Sequence, residues 1–501
     1  MTQTNNGPVE TRHLLHHEPP IFEQGATGRS GASLPTLDVP DVSAEALLGD
    51  LHRDVAPALP EVSEVDVTRH FTRLSRWNYA IDIGMYPLGS CTMKYNPKVN
   101  ERVARLPGFA GLHPAQAEET LQGALELMYR LERALCEISG FARVTLQPAA
   151  GAHGELCGLM MIRAYHQSQG RSPRKVLIPD SAHGTNPASV TLNQMECVPL
   201  KTSADGLLSA ETVRAAVAQH PGDIAGLMVT NPSTLGIFEE HIAEIAEIIH
   251  QAGGLVYMDG ANFNALLGKV RPGATGVDVM HINLHKTFTT PHGGGGPGSG
   301  PVGVVEKLIP FLPTPTVELQ DGVYHLNYNR PSSVGRLRSF FGNFGMHVRA
   351  YTYIREMGGV GLTQATEMAV LNAVYLRALL HEEFPPVSEK PSMHEYVTSD
   401  KKLKKETSVQ TLDIAKRLID YGYHPPTVYF PLVVPGALMI EPTETESKET
   451  LDQFASALLA IAKEAHSEPD RVKHAPHQTA LRRLDETKAA RQPRLRWMPP
   501  A

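Results

Sequence analysis

Paired cysteines, a basic excess and long apolar runs are all missing from this 501-residue sequence. Only four cysteines occur, Cys91, Cys136, Cys157 and Cys197, with no Cys-x-x-Cys spacing. That excludes a disulfide frame and a zinc ribbon, and predicts reduced thiols in a cytoplasmic protein. The formal net charge of −7 lacks the positive surplus that nucleic acid or an anionic membrane would favour, so neither is expected as a partner. No apolar stretch reaches the roughly 18 residues of a membrane span. The first residues, MTQTNNGPVETRH, lack the basic-then-apolar order of a secretory signal. His13, His16 and His17 cluster in a polar leader without cysteine companions, and no metal is expected there.

What is present is ordinary globular composition, 42% hydrophobic and 20% charged, over a length that calls for two or three domains. Residues 1–70 are rich in Pro, Gly and polar side chains and read as an extended N-terminal arm. A periodic helix is predicted from Ala117 to Ile138, with Leu121, Leu125, Met128, Leu131 and Leu135 on one face. Strands then read at Arg143–Gln147, Lys175–Pro179, Ile224–Thr230, Leu255–Met258 and Val279–Asn283. Helical stretches at Glu155–Gln167 and Glu239–Gln251 lie between them. This alternation predicts an α/β fold, a mostly parallel sheet with crossover helices, over residues 71–325. Residues 300–345 look rich in loops. A smaller C-terminal α+β domain is expected over 326–470, with a strand at Gly436–Ile440 and a helix at Lys448–His466. A charged surface tail, 471–501, follows.

In a parallel sheet, ligands bind beyond the carboxyl ends of the strands. Five such ends carry polar or glycine-rich segments: 150–154, 181–186, 231–234, 259–262 and 285–287. Lys286 follows an apolar strand, and Asp259 ends the strand before it. A pyridoxal phosphate (PLP) site needs an amine for the Schiff base and a carboxylate against the pyridine nitrogen, because the protonated ring is the electron sink. An unpaired carboxylate at a buried strand end is costly, and a pyridinium would be its partner. Gly151, Ala152, His153 and Gly154 open a helix whose free N–H groups suit a phosphate. His183 suits stacking on the cofactor ring. Asn231 offers an amide to its phenolic oxygen, or simply forms an Asn-Pro turn. The run Gly293–Gly298 matches GxGxxG, but it precedes a strand at 301–305 instead of following one and opening a helix. It reads as a loop beside Lys286.

The segments YPLGSCTMKYNP (86–97), GAHGE (151–155), SAHGTNPAS (181–189), NPSTLGIFEE (231–240), YMDGANFNA (257–265), NLHKTFTTPHGGGGPGSGPVG (283–303) and EPTETESKETLD (441–452) carry a family resemblance. They resemble the glycine dehydrogenase (decarboxylating) P-proteins of the glycine cleavage system, over residues 20 to 465. The length resembles subunit 2 of the two-subunit bacterial form. The resemblance implies the fold type I architecture of PLP enzymes, with Lys286 as the PLP lysine and His285 beside it in the catalytic motif. It gives His153 no unique role, since relatives carry Gln there. It also implies the reaction, decarboxylation of glycine and transfer of the aminomethyl group to the lipoyl arm of H-protein. The partners implied are P-protein subunit 1, H-protein, T-protein and L-protein, with subunits 1 and 2 forming a heterotetramer. Ser90, Thr92 and Lys94, or Arg330, Arg336 and Arg338, are candidates to hold the glycine carboxylate. Two other readings stay open: a serine hydroxymethyltransferase-like enzyme, and a non-catalytic scaffold of the same fold. A cysteine desulfurase is disfavoured because no cysteine follows Cys197.

Overall fold

Apolar runs bounded by turn residues become the middle of a sheet in the computed structural model, which describes residues 18–203, 206–293 and 296–498. The main sheet contains β1 (Arg143–Thr145), β2 (Lys175–Pro179), β3 (Glu196–Leu200), β4 (Ile224–Thr230), β5 (Leu255–Gly260), β6 (Val279–Ile282) and β7 (Val302–Val304). Their order is β1-β7-β6-β5-β4-β2-β3. β7 runs antiparallel to both neighbours, and the other pairings are parallel. β4 and β5 are buried at every residue because helices cover both faces, as an apolar run without alternation requires.

The expected strands appear with shifted ends. β3 was not anticipated, since Pro199 interrupts its pattern. It lies at the sheet edge, where a missing N–H is tolerated. The predicted helix from Ala117 begins at Gln122, after a 3-10 turn at Glu118–Thr120. The loop-rich stretch contains a hairpin, β8 (Thr316–Gln320) and β9 (Val323–Asn327), paired in antiparallel register. Its turn is Asp321-Gly322, with φ of 49° and 82°, the left-handed pair that suits a tight hairpin.

A kinked helix, Phe344–Leu380, changes direction at Gly358, where φ is 59° and ψ is −176°. Beyond it lies an antiparallel sheet of β10 (Tyr396–Ser399), β11 (Thr427–Val428) and β12 (Ala437–Ile440), with β12 central. Tyr396, Leu438 and Ile440 share a core with Leu451, Phe454, Leu458 and Ile461 of the Lys448–Ser467 helix.

Residues up to Ala80 and from His474 onward gather apart from Ile81–Lys473. Within that smaller unit the sequence 63–75 is more regular than an arm. Ser63 and Asp66 form a capping box that starts a helix, Glu64–Ser75. Glu18 is buried against it, 2.8 Å from His70 Nδ1 and 2.7 Å from an Arg73 amine. The Arg73 guanidinium is the main cause that draws the Glu18 carboxyl down to about 2. Among the described residues no helix is long and apolar enough to cross a membrane. His13, His16, His17, Gly294 and Gly295 lie outside the described residues.

Candidate active site

The register of the parallel strands brings the polar segments to one edge. Thr230 pairs with Asp259, Asp259 with His281, and Gly260 with Ile282. β6 ends into a single helical turn, Leu284–Thr287, which carries Lys286. Gly260 permits this approach, since a Cβ there would lie 2.0 Å from the His281 carbonyl oxygen.

Asp259 is 3% exposed and fully engaged. Its carboxylate accepts the Ala261 N–H at 2.9 Å and the Asn186 amide at 3.2 Å, and stands 3.2 Å from His281 Nε2. Burial acts to raise its pKa. His281, the Ala261 N–H, Lys286 and Asn186 outweigh burial and bring it below the ordinary aspartate value. An aspartate held ionised in the interior suits a cationic ligand. His281 Nδ1 is in turn 2.7 Å from the Tyr257 hydroxyl, which fixes the ring.

The Gly151–Ser168 helix starts at the same edge with no capping side chain, so its first N–H groups stay open to an anion. Its entry is tight, because a Cβ on Gly300 would lie 2.2 Å from the Ala150 carbonyl oxygen. His153 Nδ1 accepts the Ala149 N–H at 3.2 Å. Burial and then the Arg338 charge lower its pKa. Glu155, one turn further, accepts from the Thr185 and Ser189 hydroxyls at 2.6 and 2.9 Å, which moors the segment after β2. His183 in that segment is exposed, its edge toward Phe430 at 5.7 Å between ring centres. Burial lowers its pKa, with Asp259 acting to raise it and Lys286 to lower it. Asn231 is placed differently from a cofactor ligand. Its amide accepts the Glu239 N–H at 3.0 Å and faces the Glu239 carbonyl at 3.4 Å, which favours the turn-forming alternative.

Lys286 Nζ donates to the Ser90 carbonyl at 2.7 Å. That carbonyl belongs to a turn in which Ser90 and Thr92 have φ of 60° and 43°, a conformation that non-glycine residues rarely hold. Two carboxylates brace it. Glu395 accepts the Ser90 N–H at 2.7 Å, and Glu441 accepts the Thr92 N–H at 2.9 Å and its hydroxyl at 2.5 Å. Ser90 and Thr92 are therefore at the site. Lys94 is committed elsewhere: it is 3% exposed and donates to Glu444 at 2.7 Å and Asn264 at 2.8 Å. Tyr353 is a third neighbour of the ammonium, so its partners are supplied within the protein and Lys94 reads as structural. The three arginines are also engaged. Arg330 donates to the Ile309 carbonyl, Arg338 to Asn343 at 2.9 Å, and Arg336 lies over the Tyr328 and Phe341 rings.

His285 meets His292 edge-on at 5.2 Å and accepts the Ser299 N–H at 3.3 Å. Burial, then the neighbouring His292 and Lys286, pull His285 down to about 3, and burial with Lys286 pulls His292 to about 4. Both rings are neutral near pH 7. Sequence reasoning overlooked His281, Glu155, His292, His394, Glu395 and Glu441. Glu155, His292 and Glu441 fall within the family segments quoted above, whereas His281, His394 and Glu395 carry no such signal; Glu395 and Glu441 flank β10 and β12 of the smaller sheet, far along the chain from Lys286.

The chain matches the family model described as glycine dehydrogenase, C-terminal domain, over residues 365–483. It is 57% identical over 479 residues to the probable glycine dehydrogenase (decarboxylating) subunit 2 of Caldanaerobacter subterraneus subsp. tengcongensis, covering 95% of this chain and 98% of that one. It is 58% identical to the protein of that name from Halalkalibacterium halodurans, covering 95% and 97%. Among solved structures it is similar to an inhibitor-bound glycine decarboxylase (P-protein) of the glycine cleavage system, with a TM-score of 0.67 at 20% identity, over 83% of this chain and 94% of that one. A cysteine desulfurase from Thermococcus onnurineus NA1 aligns with a TM-score of 0.58 at 14% identity, over 76% and 95%. The chain shares the fold type I architecture of these PLP enzymes.

Proposed function

Because the chain belongs to the glycine dehydrogenase (decarboxylating) subunit 2 family, we propose that it binds PLP on Lys286 and decarboxylates glycine for the glycine cleavage system. The finer proposal is that the aminomethyl group passes to the lipoyl arm of H-protein. The observation that carries the reading is the pair of neighbouring strand ends, one holding a buried ionised carboxylate and the other an amine fixed on a main-chain carbonyl. PLP, when bound, supplies the electron sink that makes loss of CO2 from glycine feasible.

In this reading Asp259 would face the pyridine nitrogen, the N–H groups of Gly151, Ala152 and His153 would hold the phosphate, and His183 would cover the ring. Lys286 is held until substrate takes its place, with the Ser90 carbonyl orienting its Nζ. His285 and His292, both neutral, stand beside that amine. Ser90 and Thr92 place their turn where a substrate carboxylate would be oriented. We assign the division at about residue 326, in support of which the three-stranded sheet packs on the Lys448–Ser467 helix. Reduced thiols at Cys91, Cys136, Cys157 and Cys197 support a cytoplasmic setting.

Reconstitution tests the proposal. The purified chain with PLP should show an aldimine band at about 400 nm, and borohydride should fix the label on Lys286. Label on Lys94 or Lys269 would sink the assignment.

A further inference from the structure

The two carboxylates that brace the Ser90–Thr92 turn belong to a cluster with His394, whose chemistry the reading above does not use. His394, Glu395 and Glu441 are each fully buried, with one ligand atom of each lying within 4.8 Å of the others. They follow from register, since Tyr396 pairs with Ile440 and the next residues outward are Glu395 and Glu441. Neither ring nitrogen of His394 has a hydrogen-bond partner, and its Nε2 is 3.8 Å from the nearer Glu441 oxygen. A buried imidazole with both nitrogens unmatched marks a place where a polar group arrives from outside the chain. Two main-chain N–H groups could be held by neutral acceptors, so anchoring the turn does not by itself explain two buried acids.

We infer that Glu441 moves a proton from the ammonium of incoming glycine to the lipoyl sulfur released when the disulfide opens, with His394 facing that sulfur. This rests on the function proposed above. The balance closes. Glycine gives one ammonium proton to a Glu441 oxygen as its nitrogen takes the place of Lys286, and CO2 leaves without a proton. The C–S bond then forms as the S–S bond breaks, the departing sulfur keeps the electron pair, and it takes the proton from Glu441. Glycine is oxidised and the disulfide reduced, leaving a carboxylate ready for the next substrate.

The groups facing Glu441 support this role. Glu395, His394 and Glu444 stand on the small-domain side, Thr92 on the turn, and Lys286 beyond it. Burial raises Glu441 to about 7, against the Thr92 hydrogen bonds, so it can both take and give a proton near neutrality. Burial, then the neighbouring Glu441, push the Glu395 carboxyl well above the ordinary glutamate range. Burial, with Lys286, holds His394 at about 3, a neutral ring.

Glu441→Gln keeps an acceptor for the Thr92 N–H and removes the proton carrier. It should be tested in the complex with subunit 1 and oxidised lipoylated H-protein. We expect the PLP band to persist, the glycine-induced spectral change to slow, and thiol release on H-protein to fall by about 100-fold, a typical loss for one proton-transfer group. Thiol release within about threefold of the native complex overturns the inference. Should the variant fail to hold PLP, infrared spectra of the native complex decide. A protonated-carboxyl band that grows with glycine and bleaches with oxidised H-protein supports Glu441, and a constant band overturns it. If the native complex itself releases no thiol, the proposed function fails instead.

Discussion

Asp259 and Lys94 are both buried charges, yet their surroundings assign them opposite duties. Asp259 has a histidine, an amide and an N–H, with the Lys286 charge acting on it from further off. Lys94 has Glu444. Asp259→Asn should preserve shape and remove the charge opposite a pyridine nitrogen. A hydrogen bond to a charged group is worth ~1.5–3 kcal/mol, so the loss should be at least about tenfold in glycine decarboxylation. Bicarbonate exchange within about twofold of native would exclude Asp259 as that partner. Lys94→Met should instead lower stability by ~3–5 kcal/mol, because Glu444 is left buried with an uncompensated charge. Thermal unfolding reads this directly. A raised KM for glycine at unchanged Tm would return Lys94 to the substrate site.

Secondary elements carry the site by their ends, and the ends were the legible part of the sequence. β2, β4, β5 and β6 announced themselves as short apolar runs, and the residues after them were polar or glycine-rich. The hairpin of β8 and β9 carries a tight-turn signal in Asp321-Gly322, inside a stretch whose composition reads as loop. β3 was hidden by its proline. Glu395 and Glu441 could not be placed, because their role depends on a sheet register formed more than 100 residues after Lys286. Asn231 shows the reverse case, a residue at a strand end whose side chain is turned inward to Glu239. Glycines at element boundaries give the sharpest test. Gly300→Ala puts a Cβ 2.2 Å from the Ala150 carbonyl oxygen, so the start of the Gly151–Ser168 helix must shift. We expect PLP affinity to fall by about tenfold or more, since a misplaced helix start no longer aims its N–H groups at the phosphate. A spectral titration giving native affinity would detach that helix start from the cofactor.

At the scale of the whole molecule, the arm is the segment whose own surface is unfinished. Leu34, Leu37, Leu47, Leu51, Val55 and Leu59 are each at least 70% exposed. Burying one such side chain is worth ~1.5–3 kcal/mol, so leaving several in water is a sizeable loss for a chain of marginal stability. A homologous subunit 1 would cover them, in keeping with a relative named subunit 2. We expect light scattering to show a heterotetramer of two chains of each kind when subunit 1 is added. The isolated chain should bind PLP yet exchange labelled bicarbonate into glycine only weakly, and subunit 1 with lipoylated H-protein should restore exchange. Replacing Leu34, Leu37, Leu47 and Leu51 with Ser should weaken assembly while leaving the PLP band intact, because Lys286 and Asp259 belong to residues 81–473. Full exchange by the isolated chain would discard the two-subunit reading and bring the serine hydroxymethyltransferase-like alternative forward.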